Sequence, residues 1–414
     1  MNRSPLFRRR SRRGALEILR DISILGLWLA FGFGSLSAAP FTPKSDSQVL
    51  ETLRTRPLAP VDRELRRLRA LQRASPNDIT NAVALAGVMI GRARAEADPR
   101  WLSQAQGVLL PWWTNTVPPN AVLFHRATIR QSLHDFDGAL ADLRTLLQRD
   151  PAHGGAWLAK TTIHTVRAEY PAARSACFQL ARHIDDLTAL GAVAQIGSLT
   201  GDAPRSYHRL RDRWERPNSA RGVDSERALW ILTQLGEMAG RLGLIADAES
   251  HFQAALQIAP SDPYLLGAYS DFLLDSGKLE PVVDLLWRYT RVDALLLRLT
   301  EAESRTRRNG DSEWRKHVQI LHDRFSDAAQ RGDVVHRREE ARFRLHLEND
   351  ADAALALARD NWKVQREPAD ARIFLEAAWA SQKPDAADPV LEWRQSNHVE
   401  DLVLDRLAGR ESKP

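Results

Sequence analysis

NAVLFHRATIRQSLHDFDGALADLRTLLQRDP, residues 120 to 151, reads as two helices joined by a short polar turn. In the first, over roughly Ala121 to Leu133, Leu123, Ala127 and Arg130 fall at i, i+4, i+7 and share a face. His134-Asp135-Phe136-Asp137 supplies the turn. Asp135 or Asp137 can cap the next helix by accepting a hydrogen bond from a free N–H of its first turn. That helix runs from about Gly138 to Arg149 and stops before Pro151, because the residue preceding a proline is pushed out of the helical region. Ala127 and Ala139 lie one on each helix. Helices approach closely where both carry small side chains, so these alanines mark the expected crossing point.

The spacing of Leu123, Ala127, Phe136, Ala139, Leu143, Leu146 and Pro151 recurs. A second unit has Trp157, Thr161, Tyr170, Ala173, Cys177 and Leu180, and Ala139 to Ala173 is 34 residues. A third has Ala194, Gly201-Asp202 at its turn, Ser206 and Leu210. Arg216 to Asp224 reads as an insertion, since Gly201 to Gly243 is 42 residues. Leu232, Gly236, Gly243, Ala248, Phe252, Ala255 and Pro260 follow, then Leu266, Ser270, Gly277, Val282, Leu286 and Tyr289. Gly243 and Gly277 lie where a first helix should end, a place that favours positive φ.

A helical pair repeating at 34 residues resembles the tetratricopeptide repeat (TPR) family, from about Ser75 to the C-terminus and most clearly over Asn120 to Ala294. The resemblance implies an all-α superhelical solenoid of stacked helix pairs with a concave groove, and eight to ten pairs fit the length. The organisation expected is an export signal or membrane anchor over 1–40, a linker over 41–60, an irregular helical repeat over 61–119, the core array over 120–294, and degenerate repeats with a cap over 295–414. Val61 to Arg73 is a charged helix with Leu65, Leu68 and Leu71 inward. Past Ala294 the register weakens. Asn309-Gly310-Asp311 and Arg331-Gly332-Asp333 read as turns, Ala341, Ala353 and Leu357 restore the spacing, and Val390 to Leu407 reads as the cap.

The charge is uneven. Residues 1 to 39 hold seven arginines against Glu17 and Asp21; removing them from 58 basic and 53 acidic residues leaves 51 of each. The body is balanced, which argues against a nucleic-acid partner. The basic stretch, the apolar run Ile22 to Pro40 and the small residues Ser35 to Ala39 are the parts of an export signal. At about 18 residues the run also approaches the length of a spanning helix. Either way the positive end stays in the cytoplasm, so a periplasmic or inner-membrane-anchored body is expected, with membrane contact only through this segment.

No phosphate loop, G-x-S-x-G or H-E-x-x-H motif occurs. The single cysteine, Cys177, allows no internal disulfide and sits at a packing position. His317 and His322, five apart, do not align on one helical face and read as surface residues. No catalytic residue, metal or cofactor is expected. The TPR resemblance implies that positions 5, 9 and 12, counting Asn120 as 1, face the groove. These are Phe124, Thr128 and Gln131, then Leu158, Thr162 and Thr165, then Gln195 and Ser198, then Thr233 and Glu237, and Asp271. The lining is polar and then acidic, unlike a lysine- and arginine-lined carboxylate clamp, and suits a protein or peptide held as an extended segment or a helix. Trp112-Trp113, between Pro111 and Pro118-Pro119, reads as an exposed aromatic pair, on which an alternative carbohydrate-binding or enzyme-accessory reading rests.

Overall fold

The computed structural model describes residues 43, 45, 47–49, 59–216, 223–306 and 311–409. The body lies in the compact unit 58–414, and no strand occurs among the described residues. Among the described residues twenty α-helices follow one another: α1 Pro60–Ala74, α2 Ile79–Glu96, α3 Arg100–Trp113, α4 Asn120–Ser132, α5 Phe136–Arg149, α6 Gly154–Val166, α7 Tyr170–Leu180, α8 Asp186–Gly197, α9 Ala203–Trp214, α10 Ser225–Arg241, α11 Ile245–Ile258, α12 Pro263–Asp275, α13 Leu279–Leu286, α14 Asp293–Arg305, α15 Ser312–Gln330, α16 Arg337–His346, α17 Ala351–Trp362, α18 Pro368–Ala380, α19 Asp388–Ser396 and α20 Leu402–Ala408, with a 3₁₀ turn at Pro384–Ala387. They pack as nine successive pairs from α2/α3 to α18/α19, flanked by α1 and α20. The fold is an all-α solenoid of stacked helix pairs.

Several helices are started by the same local chemistry. An aspartate before the helix accepts from its first free N–H groups: Asp135 from Gly138, Asp185 from Thr188, Asp262 from Leu265, Asp350 from Ala353. At the other end of the first helix of a pair, one residue takes positive φ: Ala97, His134, Ala168, Gly201, Gly243, Gly277, Asn349 and Gln382. The next residue's N–H then reaches back to an orphan carbonyl, as in Asp135 to Arg130, Glu169 to His164 and Lys278 to Leu273. Ala127 and Ala139 are buried at the α4/α5 contact, as their spacing predicts. Cys177 is buried beside Tyr170 and Ala173.

Four readings change. The α3 helix runs through Pro111 to Trp113 rather than ending near Leu110. Trp112 and Trp113 are half-buried against the α1–α3 core, and Trp113 stacks under the Arg126 guanidinium 5.8 Å away, so they are not an exposed pair. His317 is buried, its Nδ1 3.0 Å from Glu303, because the face of α15 that carries it turns onto α14. Leu71 is exposed although Leu65 and Leu68 are buried. The export-signal or anchor reading, most of the 41–60 linker, most of the Arg216 to Asp224 insertion and the Asn309-Gly310 turn lie outside the described residues.

The solenoid winds back onto itself. The α17–α18 loop meets the α6–α7 turn, where the Arg366 N–H donates to the Val166 carbonyl at 2.7 Å and Val364 packs on the core around Leu123 and Ala127. The α19–α20 loop meets the α8–α9 turn, where Glu400 accepts from the Ala203 N–H at 2.8 Å and His398 lies over Gly201. Leu402 lies over Gly243 in the α10–α11 turn. At the other end Arg94 of α2 reaches Glu226 of α10 at 3.3 Å. The concave side is thereby drawn into an axial cavity.

Candidate functional site: an axial cavity lined by paired charges

The cavity measures about 700 Å³. Its wall comes from the first helices of successive pairs (α8, α10, α12, α14, α16, α18) and from α20. Of the eleven residues the repeat register points inward, Gln195, Glu237 and Asp271 line it. Phe124, Thr128, Gln131, Leu158, Thr162, Thr165 and Ser198 do not. Phe124 stacks on His153 at 4.8 Å. The hydroxyls of Thr128, Thr162 and Thr165 donate to the carbonyls of Phe124, Leu158 and Thr161 on their own helices. Ser198 is buried and accepts from Arg241 at 3.0 Å. Thr233, in the same inward register, is buried and bonded to the Leu229 carbonyl. On this side of the array the loop around Val364 to Arg366 packs on the core around Leu123 and Ala127 and bonds to Val166.

The acidic half of the lining is real, but it carries its own counter-ions. Asp271 of α12 takes Arg298 of α14 at 2.5 Å and Arg342 of α16 at 2.7 Å. Arg342 also grips Glu301 at 2.6 Å. Arg372 of α18 joins Asp275 at 2.7 Å to Glu376 at 2.9 Å. Burial works against ionised Asp271, yet the two guanidiniums outweigh it and hold its carboxyl well below the usual carboxylate range. Glu376 is held at about 2: burial opposes ionisation, but the His346 hydrogen bond and Arg372 prevail. These arginines belong to the segment beyond Ala294, where the repeat register fades and positions cannot be assigned from spacing.

One corner differs. Glu237 of α10 accepts from the Tyr264 hydroxyl at 2.9 Å, a neutral donor. Glu367, at the start of α18, has Arg338 at 3.5 Å and shares it with Glu339 and Asp370. Burial raises Glu237 above the normal range, and burial with the neighbouring Asp370 pushes Glu367 up to about 7. Tyr264 is enclosed by these groups, yet 66% of its surface meets water, because the space it faces is solvent-filled. Beside it Gln234 is 5% exposed; its amide N–H₂ donates to the Gly191 carbonyl while its Oε1 has no partner. Sequence periodicity marks Glu237 as inward. It cannot mark Tyr264 or Glu367, which come from the outer end of one helix and from a loop. Among the described residues no group of histidine, cysteine and carboxylate side chains is arranged to hold a metal ion, and no helix is long and apolar enough to cross a membrane.

No family model and no curated protein matches this chain. Among solved structures it is similar to the TPR domain of P58(IPK), at 13% identity over 86% of this chain and 95% of that one, with a TM-score of 0.22. It is also similar to yeast Tom70, at 12% identity over 85% of this chain and 92% of that one, with a TM-score of 0.32. Both likenesses concern the helical fold, and the site stands on its own residues.

Proposed function

We propose that the protein is a non-enzymatic protein–protein interaction scaffold of the cell envelope, whose axial cavity takes a short extended segment of a partner protein. The observation that carries this reading is the open cavity itself, walled by hydrogen-bonding side chains from successive repeats. Polar side chains such as Gln195, Gln234 and Arg241 offer donors and acceptors to a peptide backbone. The envelope assignment rests on the basic and apolar N-terminal sequence. The carbohydrate alternative loses its main support, because Trp112 and Trp113 are half-buried.

The test is a crosslinked pull-down from membrane and periplasmic fractions with wild type and Ala268→Trp, which fills the cavity from α12. A partner captured by wild type and lost in the variant supports the reading. The same partner captured by both moves the site to the outer face. Failure to capture a protein with either refutes the scaffold.

A further inference from the structure

We propose that the corner formed by Tyr264, Glu237 and Glu367 is a subsite for a cationic side chain, a lysine ammonium or an arginine guanidinium, of the bound peptide. The inference rests on the peptide reading above and names what that peptide carries.

Four neighbouring carboxylates are each satisfied by a guanidinium. Asp271, Asp275, Glu301 and Glu376 each hold an arginine at 2.9 Å or less. Glu237 holds a tyrosine hydroxyl instead, and Glu367 has the Asp370 backbone N–H of its helix cap and the far end of a shared guanidinium at 3.5 Å. Around this corner four carboxyl groups, Glu237 on α10, Glu339 on α16 and Glu367 and Asp370 at the start of α18, face two guanidiniums, Arg241 on α10 and Arg338 on α16. Asp271 on α12 brings its own counter-ions, Arg298 and Arg342, of which Arg298 also acts on Glu339. A cation entering from the cavity would restore the balance that the neighbouring clusters already have.

Two further features point to a ligand rather than to a mere surplus of acid. Tyr264 presents most of its surface to the cavity, and an aromatic face beside carboxylates attracts ammonium and guanidinium groups. The Gln234 Oε1, one turn before Glu237 on α10, is a buried acceptor without a donor. A lysine ammonium has three donors and an arginine guanidinium five. Either has donors enough for both carboxylates while lying on the ring. The raised position of Glu237 and Glu367 agrees with this, since an absent cation leaves them costly to ionise.

The experiment is selection of a nine-residue random peptide library on phage against the full chain at pH 8, repeated on Glu237→Gln/Glu367→Gln. Wild type is expected to select lysine or arginine at one fixed register, with that register lost in the double variant. The affinity of the best peptide should fall roughly tenfold in each single variant, and should rise from pH 6 to pH 8 as Glu367 ionises through about 7. Selected peptides with an uncharged or acidic residue at that register, or the same basic register retained by the double variant, overturn the subsite and leave the peptide reading standing. Failure to select any peptide sensitive to Ala268→Trp overturns both. Circular dichroism melts check folding; should the double variant unfold, Tyr264→Leu takes its place with the same two outcomes.

Discussion

At the scale of the residue, the turn glycines separate backbone need from packing need. Gly201 and Gly277 both take positive φ, +75° and +71°. A Cβ at Gly277 would meet open space, whereas at Gly201 it would lie 3.0 Å from the Cβ of His398, an atom fixed to the backbone. Gly277→Ala should therefore cost about 1 kcal/mol, the strain of a left-handed alanine. Gly201→Ala should cost about 2 kcal/mol, because it also pushes the α19–α20 loop off its seat; equal costs in urea titrations would show that the loop is not seated there. Gly267 is the opposite case. It lies inside α12, its added Cβ would make ordinary contacts at 3.8 Å with Arg298 and Leu295, and Gly267→Ala should stabilise by about 0.5–1 kcal/mol. Cys177 is buried, and burial alone pushes its thiol up to about 11. It should react with a thiol reagent only as fast as the protein opens, and rapid labelling of the native state would contradict its placement.

At the scale of the element, the helix pairs are joined by more than apolar stripes. Asp142 of α5 is 4% exposed and lies between Arg126, at 2.5 Å, and Arg130, at 2.9 Å, both of α4. Removing one partner of such a buried group strands the others, so Asp142→Ala should destabilise by about 3 kcal/mol, read as a fall in the denaturation midpoint. A change under 1 kcal/mol would mean that the arginines find water instead. The sequence shows Leu123, Ala127, Ala139 and Leu143 as the seam of this pair, and they are buried. It does not show Asp142, because a charge at a core position looks like a surface residue until its partners are placed. The turns tell the same story. Gly243 and Gly277 announce their positive φ and Asn349 tolerates it, while Ala168 and Gln382 adopt it without a compositional mark.

At the scale of the whole molecule, the return of α17–α20 onto earlier turns makes stability depend on pH through Glu367. Its carboxyl sits at about 7 in the folded protein, above the ordinary 4.5. A raised acid contributes stability that is complete below the unfolded value and is lost as pH rises through the folded one. Folding should therefore weaken between about pH 4.5 and pH 7 by on the order of 1 kcal/mol once water screening is allowed for. Glu367→Gln should flatten that slope, and an unchanged slope would remove Glu367 as its origin. Glu376, held at about 2, acts oppositely: its contribution is present above about 4.5 and fails as pH falls toward 2.

The residue pattern alone determined the helix pairs, their 34-residue period, the seam alanines and the all-α class, because each is set by contacts within a few dozen residues. Glu237 and Asp271 could be placed inward for the same reason. What only the tertiary structure decided is what those inward residues meet. Curvature accumulates over many repeats, and small angles at each turn brought Arg366 to Val166, Glu400 to Ala203 and Arg342 to Asp271. Contacts between residues 71 to 200 positions apart leave no period in a sequence. They seated the C-terminal helices on earlier turns, supplied arginines to most of the cavity's acids, and left Glu237 bonded to the Tyr264 hydroxyl.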